Sequence, residues 1–198
     1  PEIGVFEMLP KGLIGVENPS DIFLSERPAD SPGSIIVSSM EGSRPLLVEV
    51  QALVTSSSSI GMPRRMSAGF DHNRTSLLVA IMEKRLGLNL QGEDIFINIA
   101  GGLKVSEPAI DMGVATAIAG SFRNQAVDPH TVMIGEVGLT GEVRSVMQLE
   151  ARLAEAERLG FKKCIVPHSV KEDRLTNKNS SLKLVPVKTL FDAFGTVF

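Results

Sequence analysis

The chain has one cysteine, Cys164, in 198 residues. It can therefore hold neither a disulfide framework nor a multi-cysteine zinc site. Cys164 falls in the apolar run KKCIVP, which reads as a strand with a buried core thiol rather than a nucleophile. Histidine is almost as scarce. His72, His130 and His168 lie far apart without a metal-ligand spacing, so no metal site is expected. His72 sits in a basic loop, within reach of a phosphate, while His130 and His168 each neighbour a proline and read as surface turn residues. No apolar run approaches the ~18 residues that cross a bilayer, and no signal-peptide pattern is present. A membrane role is not expected, and a reducing cytoplasm fits this composition. Cations do not dominate either: 20 Lys and Arg face 23 Asp and Glu, a net charge of −3. Any nucleic-acid surface must then be a local patch. There is no G-x-x-x-x-G-K-[ST] loop, so ATP hydrolysis by this chain is not expected. Internal repeats and coiled-coil heptads are absent too.

The hydrophobic fraction, 43%, suffices for one sizeable core. Short strands and turns fill the first third. Ile3 to Met8 alternates, and Pro19 to Arg27 reads as a short helix capped by Ser20 or Asn18. Ser34 to Met40 and Pro45 to Val54 read as a hairpin, its second strand showing Glu49 and Gln51 on a wet face. Thr55 to Arg74 has no sustained period and reads as one long loop. The helix after it starts at Asn73 or Asp71, buries Leu77, Leu78, Ile81, Met82 and Leu86, and stops at Gly87. From Asp94 onward strands and helices alternate: DIFINIAGG, a small-residue helix IDMGVATAIAGSF, TVMIGEVGL, EVRSV, a helix QLEARLAEAERLG ended by Gly160, KKCIVP, LKLVPV and a terminal helix TLFDAF. The fold class is α+β with an α/β-like second half.

Two segments carry a family signature. In GGLKVSEPAIDMGVATAIAGS (Gly101 to Ser121) a proline, Pro108, precedes a small-residue helix that holds Ala115, Thr116 and Ala117. In GEVGLTGEVRSVMQLEARLAEAERLGF (Gly135 to Phe161) Gly141, Val143 and Leu149 follow in order. Together they resemble the proteolytic domain of Lon-type ATP-dependent proteases, which implies a ribosomal protein S5 domain 2-like fold. The resemblance places the family's nucleophilic serine at Ala109 and its lysine base at Glu150. A methyl group cannot attack a carbonyl, and a carboxylate has no nucleophile here to activate. Lys104 and Ser106 lie before the nucleophile position on the approach loop and match neither role. No catalytic residue is assigned. The carboxylates Glu136 and Glu142 in GEVGLTGEVR read as parts of a turn between two strands, with a salt bridge to Arg144.

A closer resemblance covers the whole chain. EIGVFEM, LVEVQALV, SEPAIDMGVATAI and IGEVGLTGEVRSV are similar to the C-terminal Lon-like domain of the bacterial RadA/Sms family of DNA-repair proteins. The resemblance implies that residues 1–30 connect from an upstream RecA-like ATPase and that residues 31–198 form the Lon-like domain. It further implies a hexameric ring and DNA-driven branch migration. ATP, magnesium and zinc would belong to upstream parts, with no cofactor in this chain. The chain starts at Pro1 and enters a strand at once, which suggests a piece of a longer protein.

The candidate for direct contact with DNA is the basic loop and helix. From Gly61 to Arg85 five cations (Arg64, Arg65, Arg74, Lys84, Arg85) face two acids, Asp71 and Glu83. Such groups neutralise phosphates, and copies in a ring would add. Arg64, Arg65, Arg74 and Lys84, with Arg123 beyond the small-residue helix, are the expected DNA-binding residues. The bland reading is a solvated loop whose charges keep it soluble.

Overall fold

A computed structural model describes residues 6–16, 18–57, 62–170 and 180–198. The predicted strand start at Ile3 and loop positions 58–61 fall outside these residues. Strands β1 (Phe6–Leu9) and β2 (Gly12–Gly15) pair antiparallel in a sheet of their own. Directly opposed residues share a face. Met8 and Leu13 oppose each other, with Phe6 beside them, and all three are largely exposed. The short helix α1 (Pro19–Leu24) then leads into the main body.

A seven-stranded mixed sheet organises that body. Its centre is an antiparallel hairpin of β3 (Ser34–Glu41) and β4 (Arg44–Ser56), joined through Gly42 at φ 63°. On the β4 side come β6 (Glu93–Ile99), antiparallel, and β5 (Arg65–Ala68), parallel to β6 at the sheet edge. On the β3 side β7 (Thr131–Met133), β10 (Lys163–Pro167) and β11 (Lys183–Val187) all run parallel. The order is β11-β10-β7-β3-β4-β6-β5. A separate small ladder pairs β8 (Glu136–Val137) with β9 (Val143–Arg144).

Helices cover both faces. Three pack on one side: α2 (His72–Leu86), α3 (Asp111–Arg123) and α5 (Leu190–Val197). They bury Val37, Val48, Leu78, Ile118 and Phe194 in one cluster. On the other side α4 (Leu149–Arg158) and α1 cover Ile36, Leu47, Leu153 and Cys164. Cys164 is fully buried, and burial pushes its thiol far up, as its apolar setting led us to expect. The small-residue helix packs closely on the sheet as expected. A Cβ on Gly113 would lie within van der Waals overlap of Val37, at 2.1 Å from its Cγ1.

Three expectations need correction. The stretch read as one long loop contains β5, whose backbone pairs with β6 despite its polar sequence. Glu49 is not on a wet face: it is 3% exposed. Helices cover the sheet on that side too, and its carboxylate accepts from Ser34 Oγ and Gln51 Nε2. Leu77 is exposed, because α2 turns Thr75, Leu78, Val79, Ile81 and Met82 inward. The predicted boundaries of α2 hold. The Asp71 side chain accepts from the Arg74 N–H at 2.7 Å, and Gly87 closes the helix in the left-handed conformation.

Candidate functional site: a cavity between two arginine clamps

Ala109 lies in a single 3-10 turn (Pro108–Ile110) just before α3 and is buried. Its carbonyl accepts from Gly135 N–H at 2.8 Å, which pins the turn to the segment after β7. Glu150, in the first turn of α4, is exposed. Beside the turn opens a cavity of about 310 Å³ lined by Phe70, Asp71, Arg74, Ser106, Glu107 and Asp111, with Pro108. Among these lining residues Ser106 is the one hydroxyl and none is an amine. The cavity thus sets one hydroxyl among three carboxylates and a guanidinium.

Two arginines hold this region. Arg152, on α4, is 1% exposed. Its guanidinium meets Glu107 in a two-pronged pair at 2.9 and 2.6 Å, and also donates to Ser38 O at 2.6 Å and Met147 O at 3.0 Å. Glu107 accepts in addition from Met40 N–H at 2.6 Å. A planar guanidinium suits this because it presents a rigid fork and stays charged when buried. One side chain thus ties β3, the approach loop and the start of α4 together. The second arginine, Arg74, donates through Nε to Asp111 Oδ1 at 3.0 Å, through Nη2 to Asp111 Oδ2, and to Val137 O at 2.9 Å. Asp111 is completely buried and accepts also from Val137 N–H at 3.1 Å. Burial pushes its carboxyl up, with Arg74 and the Val137 N–H pulling the other way. The start of α3 also favours its negative charge.

The predicted DNA-binding cations do not form one patch. Arg64 chelates Asp94 through its backbone N–H (2.8 Å), Nε (2.9 Å) and Nη2 (2.7 Å), and lies 5.5 Å above the Phe96 ring. These bonds lower the pKa of Asp94. Arg65 donates to the carbonyls of Leu90 and Glu93. Arg65 opens the edge strand β5 and Arg64 directly precedes it, whereas Arg74 faces the cavity. Lys84 is exposed on α2, ten residues or ~15 Å further along the helix axis. Arg123 stacks on Phe194 and Phe198 at the far end of α3. Four of the five therefore already have internal partners.

Reasoning from sequence missed Arg152, Glu107 and Asp111 as organisers. Asp111 carried a signal, as the one charged residue in the small-residue run IDMGVATAIAGSF. Arg152 carried none beyond a helical spacing that places it near the apolar face formed by Leu149, Leu153 and Ala156. The turn GEVGLTGEVR does contain the expected salt bridge to Arg144, and Glu142 is the partner, at 2.8 Å.

The profile of the family described as "Subunit ChlI of Mg-chelatase" matches residues 50–170. That span contains both clamps and the turn at Ala109. Identity is 51% over 199 residues with the DNA repair protein RadA of Halalkalibacterium halodurans, covering 97% of this chain and 41% of that protein. With RadA of Bacillus subtilis (strain 168) it is 57% over 166 residues, 84% of this chain and 36% of the relative. RadA of Synechocystis sp. is 47% identical over 194 residues, 98% of this chain and 37% of the relative. The chain spans about two-fifths of the length of these curated relatives. It belongs to the ChlI domain family and is homologous to the C-terminal part of the DNA repair proteins named RadA.

Proposed function

We propose that this chain is a non-proteolytic, Lon-like domain with a ribosomal protein S5 domain 2-like fold, acting in a RadA/Sms DNA-repair protein as scaffold of a hexameric ring and as a DNA-contacting element. The observation that carries this reading is the 45–57% identity to RadA proteins across nearly the whole chain. Ala109, buried where a hydrolase would need its hydroxyl, supports the loss of peptidase chemistry. Residues 1–30 are the connection from an upstream ATPase. The apolar face of Phe6, Met8 and Leu13 fits a segment covered by that preceding part. ATP, magnesium and zinc act in the upstream parts, and ATP-driven branch migration, in the cytoplasm, is work of the whole protein. Arg64, Arg65, Lys84 and Arg123 are the proposed contacts to duplex phosphates. Arg74 is kept as a weaker member, because its fork is occupied by Asp111.

The test is fluorescence anisotropy with labelled duplex DNA at low and at physiological salt. Non-specific affinity is on the order of 10⁻⁴ to 10⁻⁶ M, so the low-salt arm is needed. Lys84→Glu is expected to weaken binding several-fold with an unchanged melting temperature, since Lys84 is exposed on α2. Reversing Arg74 would be uninformative, since a carboxylate facing Asp111 disrupts the site with or without DNA. A second reading, a structural oligomerisation module without DNA contact, is favoured by the internal partners of four of the five cations. An assembled protein that binds no duplex at low salt would establish it.

A further inference from the structure

Among the buried polar atoms without a partner in the described residues are Arg27 Nη1 and Thr131 Oγ1, neither of which lines the cavity beside Ala109. Arg27 lies on the segment between α1 and β3. Thr131, 2% exposed, opens β7 at the heart of the sheet. Both residues border one cavity, together with Asp30, Ser34, Val127 and Asp128. Its volume, about 10 Å³, is about the ~10–15 Å³ that one water molecule requires. A buried polar atom left unpaired is costly, so two such atoms on one water-sized space call for a shared occupant.

The charges select what that occupant is. An anion would meet Arg27 but also the carboxylates of Asp30 and Asp128, and Glu49 acts on Arg27 from nearby. A cation would meet the guanidinium head-on. Only a neutral molecule that both accepts and donates suits the lining. We propose that this cavity is a structural water site, in which one water accepts from Arg27 Nη1–H and donates to Thr131 Oγ1. The surroundings are built for permanence. Arg27 is held over the Phe161 ring at 5.7 Å. Asp128 shapes the adjacent turn, its carboxylate accepting from His130 N–H at 2.7 Å and its carbonyl from Thr131 N–H at 3.0 Å. The water therefore fastens the segment that arrives from the β1–β2 hairpin to the middle of the sheet, making that junction rigid.

The test combines crystallography with two variants. A crystal structure of this chain at about 1.5 Å is expected to show one full-occupancy water within hydrogen-bond distance of Arg27 Nη1 and Thr131 Oγ1. The site should show no anomalous peak after a bromide or rubidium soak. Thr131→Val, equal in shape but without the hydroxyl, is expected to lose the water and about 2–4 °C of melting temperature. Thr131→Ser should keep the water and most of the stability. A direct bond from Arg27 to Asp128 or Glu49 that closes the cavity would overturn the proposal. So would an anomalous ion in the site, or a Thr131→Val protein as stable as the parent.

Discussion

The arginines at the cavity beside Ala109 and those at the edge of the sheet form the same kind of bond with opposite consequences. Arg152 and Arg74 meet carboxylates in the interior and reach backbone carbonyls of elements distant in sequence. Arg64 also grips a buried carboxylate, Asp94, yet its own side chain is 59% exposed. The first two are joints of the fold. The third is a surface cation anchored at its base and open at its tip. A count of cations along a sequence cannot separate these roles, because the separation lies in what covers the guanidinium.

The largest expected effect is at Arg152. Arg152→Met leaves Glu107 and two carbonyls without their donor, and breaking a buried pair in this way costs ~3–5 kcal/mol. Urea denaturation checks it, and a loss below about 1 kcal/mol would mean that the clamp is ornamental.

Arg74→Ala should cost somewhat less, ~2–3 kcal/mol, because Arg74 is partly open to solvent. Here the sign with pH is diagnostic. Burial raises the Asp111 carboxyl above its unfolded value, so the folded protein binds that proton more tightly. The associated stability is complete below the unfolded value of ~3.9 and is lost as pH rises through the folded one. The variant's deficit relative to the parent should therefore be smallest in acid and grow toward neutrality. A deficit constant between pH 3.5 and 7 would show that Asp111 is not the group left stranded.

The smallest effect belongs to the exposed turn. Thr140 and Arg144 hold the Glu142 carboxyl down at about 2, against an ordinary 4.5. Its contribution to stability is present above 4.5 and lost as pH falls toward about 2. Thr140→Ala should move the Glu142 titration, followed by NMR, back toward 4.5 while barely changing the melting temperature.

Much of this architecture is legible from pattern. Helix α2 begins at Asp71 and ends at Gly87 because a cap and a left-handed glycine are local devices, and local devices show in sequence. The strands at Ser34, Arg44 and Lys163 appear as apolar runs for the same reason. β5 does not, since RMSA is only four residues long and leaves its two apolar positions, Met66 and Ala68, exposed; it is a strand because β6 offers it an edge. Glu49 looked wet because the helices that cover it lie far away in sequence. At the site, the sequence pointed to the turn at Ala109 but not to the two arginine clamps beside it. The partners of Arg152 come from β3 and from the approach loop before α3, and no spacing rule links them to α4.

The central hairpin also has a kinetic meaning. β3 and β4 are sequence neighbours joined by two residues, and each flanks a wing that needs longer excursions of chain. Local antiparallel pairs close on the order of 1–10 μs, whereas parallel crossovers first have to bear the entropy of loop closure. Assembly should therefore spread outward from β3–β4, with β7, β10 and β11 added in succession on one side and β6 then β5 on the other. The last strands to join, β11 and β5, are then also the first whose amides should exchange with solvent when the native protein breathes.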